Sequence, residues 1–210
     1  MTSFAAVISD LDGVLVDSMA ATTRAWAAWG ARHGLDGAAI QAANTGKPAA
    51  EVVARFVAPG ALAEEAAVLE RLEVADTDGV VALPGAAGVL ALPCVAIATS
   101  CVLPLARARI AAAGLEAPAV LVTSDQVAHG KPAPDSYRLA AERLGLDPAG
   151  CLVLEDAPAG VAAGKAAGMT VWAVTTTTAP AELAAADRIV PGGLPEVLAW
   201  LTAGLSGRAA

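Results

Sequence analysis

Short apolar runs, rich in β-branched residues, alternate along the chain with alanine-rich stretches of helical period. The runs predict strands at Phe4–Ser9, Cys94–Thr99, Ala119–Thr123, Cys151–Glu155, Thr170–Val174 and Arg188–Val190. The stretches between them predict helices near Leu103–Ala113, Ser136–Leu144, Ala159–Ala167 and Leu194–Thr202. Continuous apolar strands separated by helices are typical of a parallel sheet that is covered on both faces. The predicted fold class is therefore α/β, with a doubly wound parallel sheet.

The alternation stops between about residues 18 and 81, where the pattern is helical throughout. One stripe of this segment is mostly apolar but includes an acid, Glu73. We therefore predict a Rossmann-like core with a helical insertion after the first strand. The predicted core comprises residues 1–17 and 82–210, and the insertion comprises residues 18–81. The edges of the insertion, near Asp17–Ser18 and Gly79–Leu83, are candidate hinges.

The composition limits the possible partners. The chain has 210 residues, 56% of them hydrophobic, and a formal net charge of −8. That apolar content can form a core, and the negative charge argues against non-specific binding of nucleic acid, which needs clustered cations. The three cysteines lack CxxC spacing, so zinc and disulfide frameworks are poorly supported.

One uncharged stretch is long enough to cross a bilayer. It runs from Gly79 through Ala106, but Pro84, Pro93 and Pro104 divide it into short elements of a buried core. The N-terminus also lacks the basic and apolar regions of a signal peptide. We expect a cytoplasmic protein without a membrane partner, and a monomer or weak dimer.

Two aspartates follow the first predicted strand. Asp10 and Asp12 occupy alternate positions, so their side chains point to the same side of the chain, and Gly13 follows them. Carboxylates placed this close repel each other unless a cation or a proton is present. The pair therefore indicates metal binding or acid–base chemistry.

Polar residues also follow three other predicted strands. Hydroxyls stand at Thr99 and Ser100, an ammonium at Lys131, and carboxylates at Glu155 and Asp156. Ligands of open parallel sheets bind at the carboxyl ends of the strands, so we expect these clusters to converge. Carboxylates suit a hard cation such as Mg²⁺, while hydroxyls and an ammonium suit phosphoryl oxygens.

The four clusters, in this order, resemble the motifs of the haloacid dehalogenase superfamily, and specifically its phosphatases. Further segments resemble the small sugar-phosphate and hexitol-phosphate phosphatases of the β-phosphoglucomutase-like subgroup. These segments are Asp12–Ser18, Asn44–Lys47, Ala82–Ala86, Ala106–Arg109 and Glu155–Gly160. The resemblance implies that the helical insertion is the small cap of that family, and that the enzyme is a magnesium-dependent phosphatase of small phosphorylated sugars or polyols.

The resemblance also implies a role for each candidate residue. Asp10 would be the nucleophile that forms an aspartyl-phosphate, and Asp12 would be the general acid and then the base. The phosphoryl group would contact Thr99, Ser100 and Lys131, and the substrate would contact Lys47. The magnesium ligands would be Asp10, the main-chain carbonyl of Asp12, Glu155 and Asp156.

Three other functions use related parts. A phosphomutase would share the aspartyl-phosphate, but Thr22 and Ala49 stand where we expect the histidine and arginine of β-phosphoglucomutase relatives. A dehalogenase would need neither Asp12 nor the acidic pair Glu155 and Asp156. A non-catalytic sensor of a phosphorylated metabolite would not need both aspartates. The sequence does not identify the substrate.

Overall fold

A computed structural model describes residues 4–44 and 47–206, with side chains described up to residue 202. Thr45 and Gly46, part of the segment Asn44–Lys47, lie outside the described residues. The strands are β1 Ala6–Ser9, β2 Val16–Asp17, β3 Val81–Ala82, β4 Val95–Ala98, β5 Val120–Val122, β6 Cys151–Glu155, β7 Thr170–Val174 and β8 Arg188–Val190. The helices are α1 Met19–Arg32, α2 Gly37–Ala42, α3 Ala49–Val53, α4 Leu62–Ala75, α5 Ala86–Leu90, α6 Leu103–Ala112, α7 Asp135–Leu144, α8 Pro158–Ala166 and α9 Gly193–Ser206.

Six of the described strands form one parallel sheet in the order β5-β4-β1-β6-β7-β8. This arrangement confirms the predicted doubly wound α/β fold. Three of the predicted strands, including Phe4–Ser9, were too long by one or two residues at one or both ends, because apolar or β-branched residues continue beyond the paired segment. β1 lies between β4 and β6, and Ile8 pairs with both Ala96 and Val153. The residues that follow these three strands therefore leave the sheet side by side.

Both faces of the sheet are buried. Val7 packs with Leu105 of α6 and Val197 of α9 on one face. The next residue, Ile8, packs with Tyr137 of α7 and Val161 of α8 on the other. Successive side chains of a strand point to opposite faces, so a continuous apolar run is what a sheet covered on both sides requires.

Helices α1 to α4 have an apolar cluster of their own. Trp26 and Trp29 of α1 pack with Val53 of α3 and Leu69 of α4, and the two tryptophan rings meet edge to face at 5.7 Å. The prediction that residues 18–81 form a separate cap remains a prediction. The stretch from Gly79 through Ala106 contains β3, α5, β4 and the start of α6. Every helix within the described residues falls short of the length and apolarity that crossing a bilayer requires.

A short antiparallel pair connects the two ends of this helical segment. Val16 pairs with Ala82 and Asp17 with Val81, so β2 and β3 hold the two connections side by side. This pairing was not predicted from the sequence, because two residues per strand give no readable alternation. It lies at the positions proposed above as hinges.

Candidate active site

The predicted polar clusters meet at the carboxyl edge of the sheet. Asp10, Asp12, Thr99, Ser100 and Asp156 line one cavity of about 300 Å³. Side chains of α1 and α4 also line it, and so does Lys47. Lys131 and Glu155 are buried just beneath, in contact with the residues that line the cavity. The eight residues predicted from the sequence are therefore placed in or directly under a single cavity.

The buried ammonium of Lys131 lies between two carboxylates beneath the cavity. Lys131 Nζ lies 2.7 Å from Glu155 Oε1 and 3.0 Å from Asp10 Oδ1. Tyr137 donates its hydroxyl to the same Glu155 oxygen at 2.6 Å. The other Glu155 oxygen accepts the main-chain N–H groups of Asp156 at 2.9 Å and Ala157 at 3.2 Å. Both oxygens of Glu155 therefore have protein donors, and this carboxylate fixes Lys131 beside Asp10.

Three carboxylates surround a position suited to a cation. Ligand oxygens of Asp10, Glu155 and Asp156 lie within 4.8 Å of one another. Lys131 Nζ lies 3.0 Å from the buried oxygen Asp10 Oδ1, which forms an ion pair with it but meets no geometric criterion for a hydrogen bond with any described residue. Burial raises the pKa of Asp10 to about 7 despite Lys131, and burial together with Glu155 and Asp10 raises the pKa of Asp156 well above its usual value. A divalent cation would relieve both effects.

The backbone makes room for this acidic group. Gly13 has a φ of +75°, and a Cβ atom at this position would lie 1.9 Å from Asp156 Oδ2. Thr177, which follows β7, donates its hydroxyl to the same Asp156 oxygen. The turn after β1 therefore requires glycine both for its left-handed conformation and for space.

Asp12 has different neighbours from Asp10. Its Oδ1 accepts the Ser18 hydroxyl at 2.5 Å and lies 2.8 Å from Arg109 Nη1, and its Oδ2 accepts the Cys101 thiol at 3.0 Å. Burial raises the pKa of Asp12, but the Arg109 charge and the hydrogen bonds from Cys101 and Ser18 outweigh it and hold the pKa below its usual value. The two aspartates thus differ in pKa, as expected of a pair with separate roles.

Two other predicted residues that line the cavity, Thr99 and Lys47, have hydrogen-bond partners close to them in the chain. The Thr99 hydroxyl accepts the main-chain N–H of Cys101 at 3.1 Å, which fixes it at the end of β4. Lys47 donates to Asn44 Oδ1 at 3.3 Å. Trp26 of α1 is 4% exposed and also lines the cavity.

Sequence reasoning did not identify four residues that contact the candidate site. Tyr137, Arg109 and Thr177 bond directly to its acids, and Glu73 pairs with Arg109. Glu73 left a signal, because it is an acid on a mostly apolar helical stripe. Arg109 lies in a segment noted above for its resemblance, but nothing in the sequence connects it to Asp12.

Comparison with known proteins agrees with this geometry. A model of the haloacid dehalogenase-like hydrolase family matches residues 4–168. Hexitol phosphatase A of Escherichia coli strain K12 is 48% identical over 182 residues, 82% of this chain and 82% of that protein. Validoxylamine A 7'-phosphate phosphatase of Streptomyces hygroscopicus subsp. limoneus is 34% identical and covers 85% of this chain and 89% of its own. The crystal structure of CbbY from Rhodobacter sphaeroides in complex with phosphate has a TM-score of 0.79 at 28% identity, over 92% of this chain and 96% of that one.

Proposed function

The chain belongs to the haloacid dehalogenase-like hydrolase family, and on that premise we propose that it is a magnesium-dependent phosphatase of small phosphorylated sugars or polyols. One observation carries this proposal. Asp10 lies at the floor of a cavity with the carboxylates of Glu155 and Asp156 and the ammonium of Lys131 around it. A nucleophile, a cation site and a fixed positive charge are what displacement at phosphorus requires.

The proposed reaction has two displacements. The Asp10 carboxylate attacks phosphorus, and the bond between phosphorus and the ester oxygen breaks. The ester oxygen keeps the electron pair and takes a proton from Asp12, which leaves an aspartyl-phosphate on Asp10. Water then attacks phosphorus and gives a proton to Asp12, while the bond between phosphorus and the Asp10 oxygen breaks. The Asp10 oxygen keeps the electron pair, so the Asp10 carboxylate is regenerated and inorganic phosphate is released.

Asp12 must carry a proton for the first displacement. Its lowered pKa describes the site without substrate, where Arg109 is the nearest charge. A phosphate dianion bound beside it would raise that pKa, because a neighbouring negative charge favours the protonated form. The same carboxyl group can therefore act as an acid while substrate is bound and as a base once the leaving group has departed.

Asp10 must approach an anion. A carboxylate 4 Å from a phosphate dianion is repelled by several kcal/mol at an effective dielectric of about 20. Lys131 offsets part of this repulsion from 3.0 Å. A divalent cation would be held by Asp10, Asp156 and the Asp12 carbonyl, and it would supply further charge neutralisation. We propose Mg²⁺ because every candidate ligand is an oxygen.

The role of Glu155 follows from its contacts. Its oxygens already accept hydrogen bonds from Lys131, Tyr137 and two main-chain N–H groups. These contacts favour a role in holding Lys131. Direct ligation of the metal by Glu155, as the resemblance implies, remains a prediction.

The substrate class is supported by the cavity and by the relatives. A cavity of about 300 Å³ accommodates a small molecule, and its lining includes Gln41, Asn44 and Lys47 as polar contacts. Glycerol-1-phosphate phosphohydrolase 2 of Saccharomyces cerevisiae, which is 30% identical, is named for a polyol phosphate, as the hexitol phosphatase is. The comparisons do not favour a phosphomutase over a phosphatase.

The proposal is tested with Asp10→Asn. Phosphate release from a panel of hexitol, hexose and glycerol phosphates is measured with Mg²⁺, and we expect the variant to lose turnover while its circular dichroism is unchanged. Asp17→Asn is the matched control, because Asp17 is an exposed aspartate in the same connection between β1 and α1. Undiminished turnover in Asp10→Asn would contradict the proposed nucleophile.

A further inference from the structure

One arginine lies between the acid–base residue and the helical segment of residues 19–75. The Arg109 side chain, on α6, is 6% exposed, and its Nη1 lies 2.8 Å from Asp12 Oδ1 and 3.2 Å from Cys101 Sγ. Its Nη2 donates to Thr22 Oγ1 of α1 at 2.7 Å and to Glu73 Oε1 of α4 at 3.2 Å. A single guanidinium therefore contacts Asp12 and two of the helices that cover the cavity.

The chemistry of the guanidinium makes these contacts interdependent. The group is planar and rigid, so its two terminal nitrogens move together. A shift of α1 or α4 that moves Nη2 therefore also moves Nη1 relative to the Asp12 carboxylate. A buried charge that loses a partner is costly, which favours keeping all four contacts. Arg107, two residues away on the same helix, points to another face and is exposed to solvent.

We propose that Arg109 is a positioning residue for Asp12. It fixes the carboxyl group for proton transfer, and its bonds to Thr22 and Glu73 make this alignment depend on α1 and α4 being seated over the cavity. The inference rests on the proposed phosphatase function and extends it. Proton transfer to the leaving group would be efficient only when these helices are in place, which links catalysis to the covering of the site.

This role has a kinetic signature. Arg109 has no contact with Lys131 or Asp10 among the hydrogen bonds and ion pairs of the described residues, so its loss should leave phosphate binding largely intact. The step that should become slower is protonation of the leaving oxygen. An alkoxide leaving group needs that proton, whereas p-nitrophenolate departs readily without it. A merely structural role would slow both substrates alike.

The test compares Arg109→Gln with Arg107→Gln, its matched control on the same helix. Release of the alcohol in the first turnover is followed by rapid quench with a polyol phosphate, and release of p-nitrophenol with the aryl phosphate. We expect Arg109→Gln to lower the rate of alcohol release from the polyol phosphate on the order of 100-fold, which is the usual contribution of a general acid. The rate of p-nitrophenol release should fall by a factor at least tenfold smaller. KM should change by less than about threefold, because ground-state binding is retained. Arg107→Gln should match the wild type.

Two further variants test the connection to the helices, and they serve if Arg109→Gln does not fold. Thr22→Val and Glu73→Gln keep their shapes, and each should slow the polyol phosphate roughly three- to tenfold with the same preference for the aryl substrate. Equal losses with both substrates would overturn the positioning role. Unchanged rates in both helix variants would overturn the connection to α1 and α4. If the wild type hydrolyses neither substrate with Mg²⁺, the proposed function fails and the inference fails with it.

Discussion

Replacing the buried lysine with methionine should destabilise the protein strongly. Lys131 is 2% exposed and lies between two carboxylates, 2.7 Å from Glu155 and 3.0 Å from Asp10. Each attraction is about 6 kcal/mol at an effective dielectric of about 20, before the desolvation of the charges is subtracted. Breaking a buried pair leaves a charge without a partner, which costs about 3–5 kcal/mol. We therefore expect Lys131→Met to lower the free energy of unfolding by about 3–5 kcal/mol.

Urea denaturation in the presence of a chelator measures this loss. For a chain of this size, the loss corresponds to a fall in Tm of roughly 6–20 °C. Lys165→Met is the matched control, because Lys165 pairs with Asp187 at 2.6 Å but both side chains are about two-fifths exposed, at 41% and 38%. An exposed pair contributes at most about 1 kcal/mol, so this control should change little.

The response to metal adds a second prediction for the same variant. Without the ammonium, Asp10, Glu155 and Asp156 remain close together with no buried cation beside them. Added Mg²⁺ should therefore raise the Tm of Lys131→Met more than that of the wild type. If Lys131→Met were as stable in chelator as Lys165→Met, the argument from buried charge would be refuted.

Three other outcomes follow from the structure. Burial raises the pKa of Glu73 from its ordinary value of 4.5 to about 7, so the folded state keeps a proton that the unfolded state releases. The free energy of unfolding should therefore fall as the pH rises from 4.5 to about 7, and Glu73→Gln should reduce that slope in urea titrations at several pH values. Gly13→Ala should lower Mg²⁺ affinity by calorimetry, because a Cβ would press on Asp156. Gly79→Ala should not, because Gly79 has the same φ of +75° but open space around it. Dialysis against a chelator should abolish phosphate release and added Mg²⁺ should restore it; full activity in chelator would contradict the metal site.

Much of the fold was readable from the sequence, because its physical signals are local. Continuous apolar runs predicted the six strands of the sheet, and each is present with its ends shifted by at most two residues. Polar residues directly after such runs predicted the candidate site, since parallel strands end at one edge of the sheet. The pair β2–β3 was missed because its strands are too short to carry a pattern.

The contacts within the site were not readable in the same way. Arg109 meets Thr22 across 87 positions of the chain and Glu73 across 36. Tyr137 of α7 and Lys131, which precedes that helix in the chain, both donate to Glu155 at the end of β6. No local spacing encodes such pairs, because they depend on how helices pack against the sheet.

The sequence by itself determined the order of strands and helices and the residue types at the carboxyl edge of the sheet, because periodicity and parallel pairing follow from local chemistry. The tertiary structure decided how the surroundings of the two acids differ. Burial raises the pKa of Asp10 beside Lys131, whereas Arg109 lowers the pKa of Asp12. Two aspartates separated by one residue acquire opposite pKa shifts because desolvation and neighbouring charge depend on distances that only the folded chain sets.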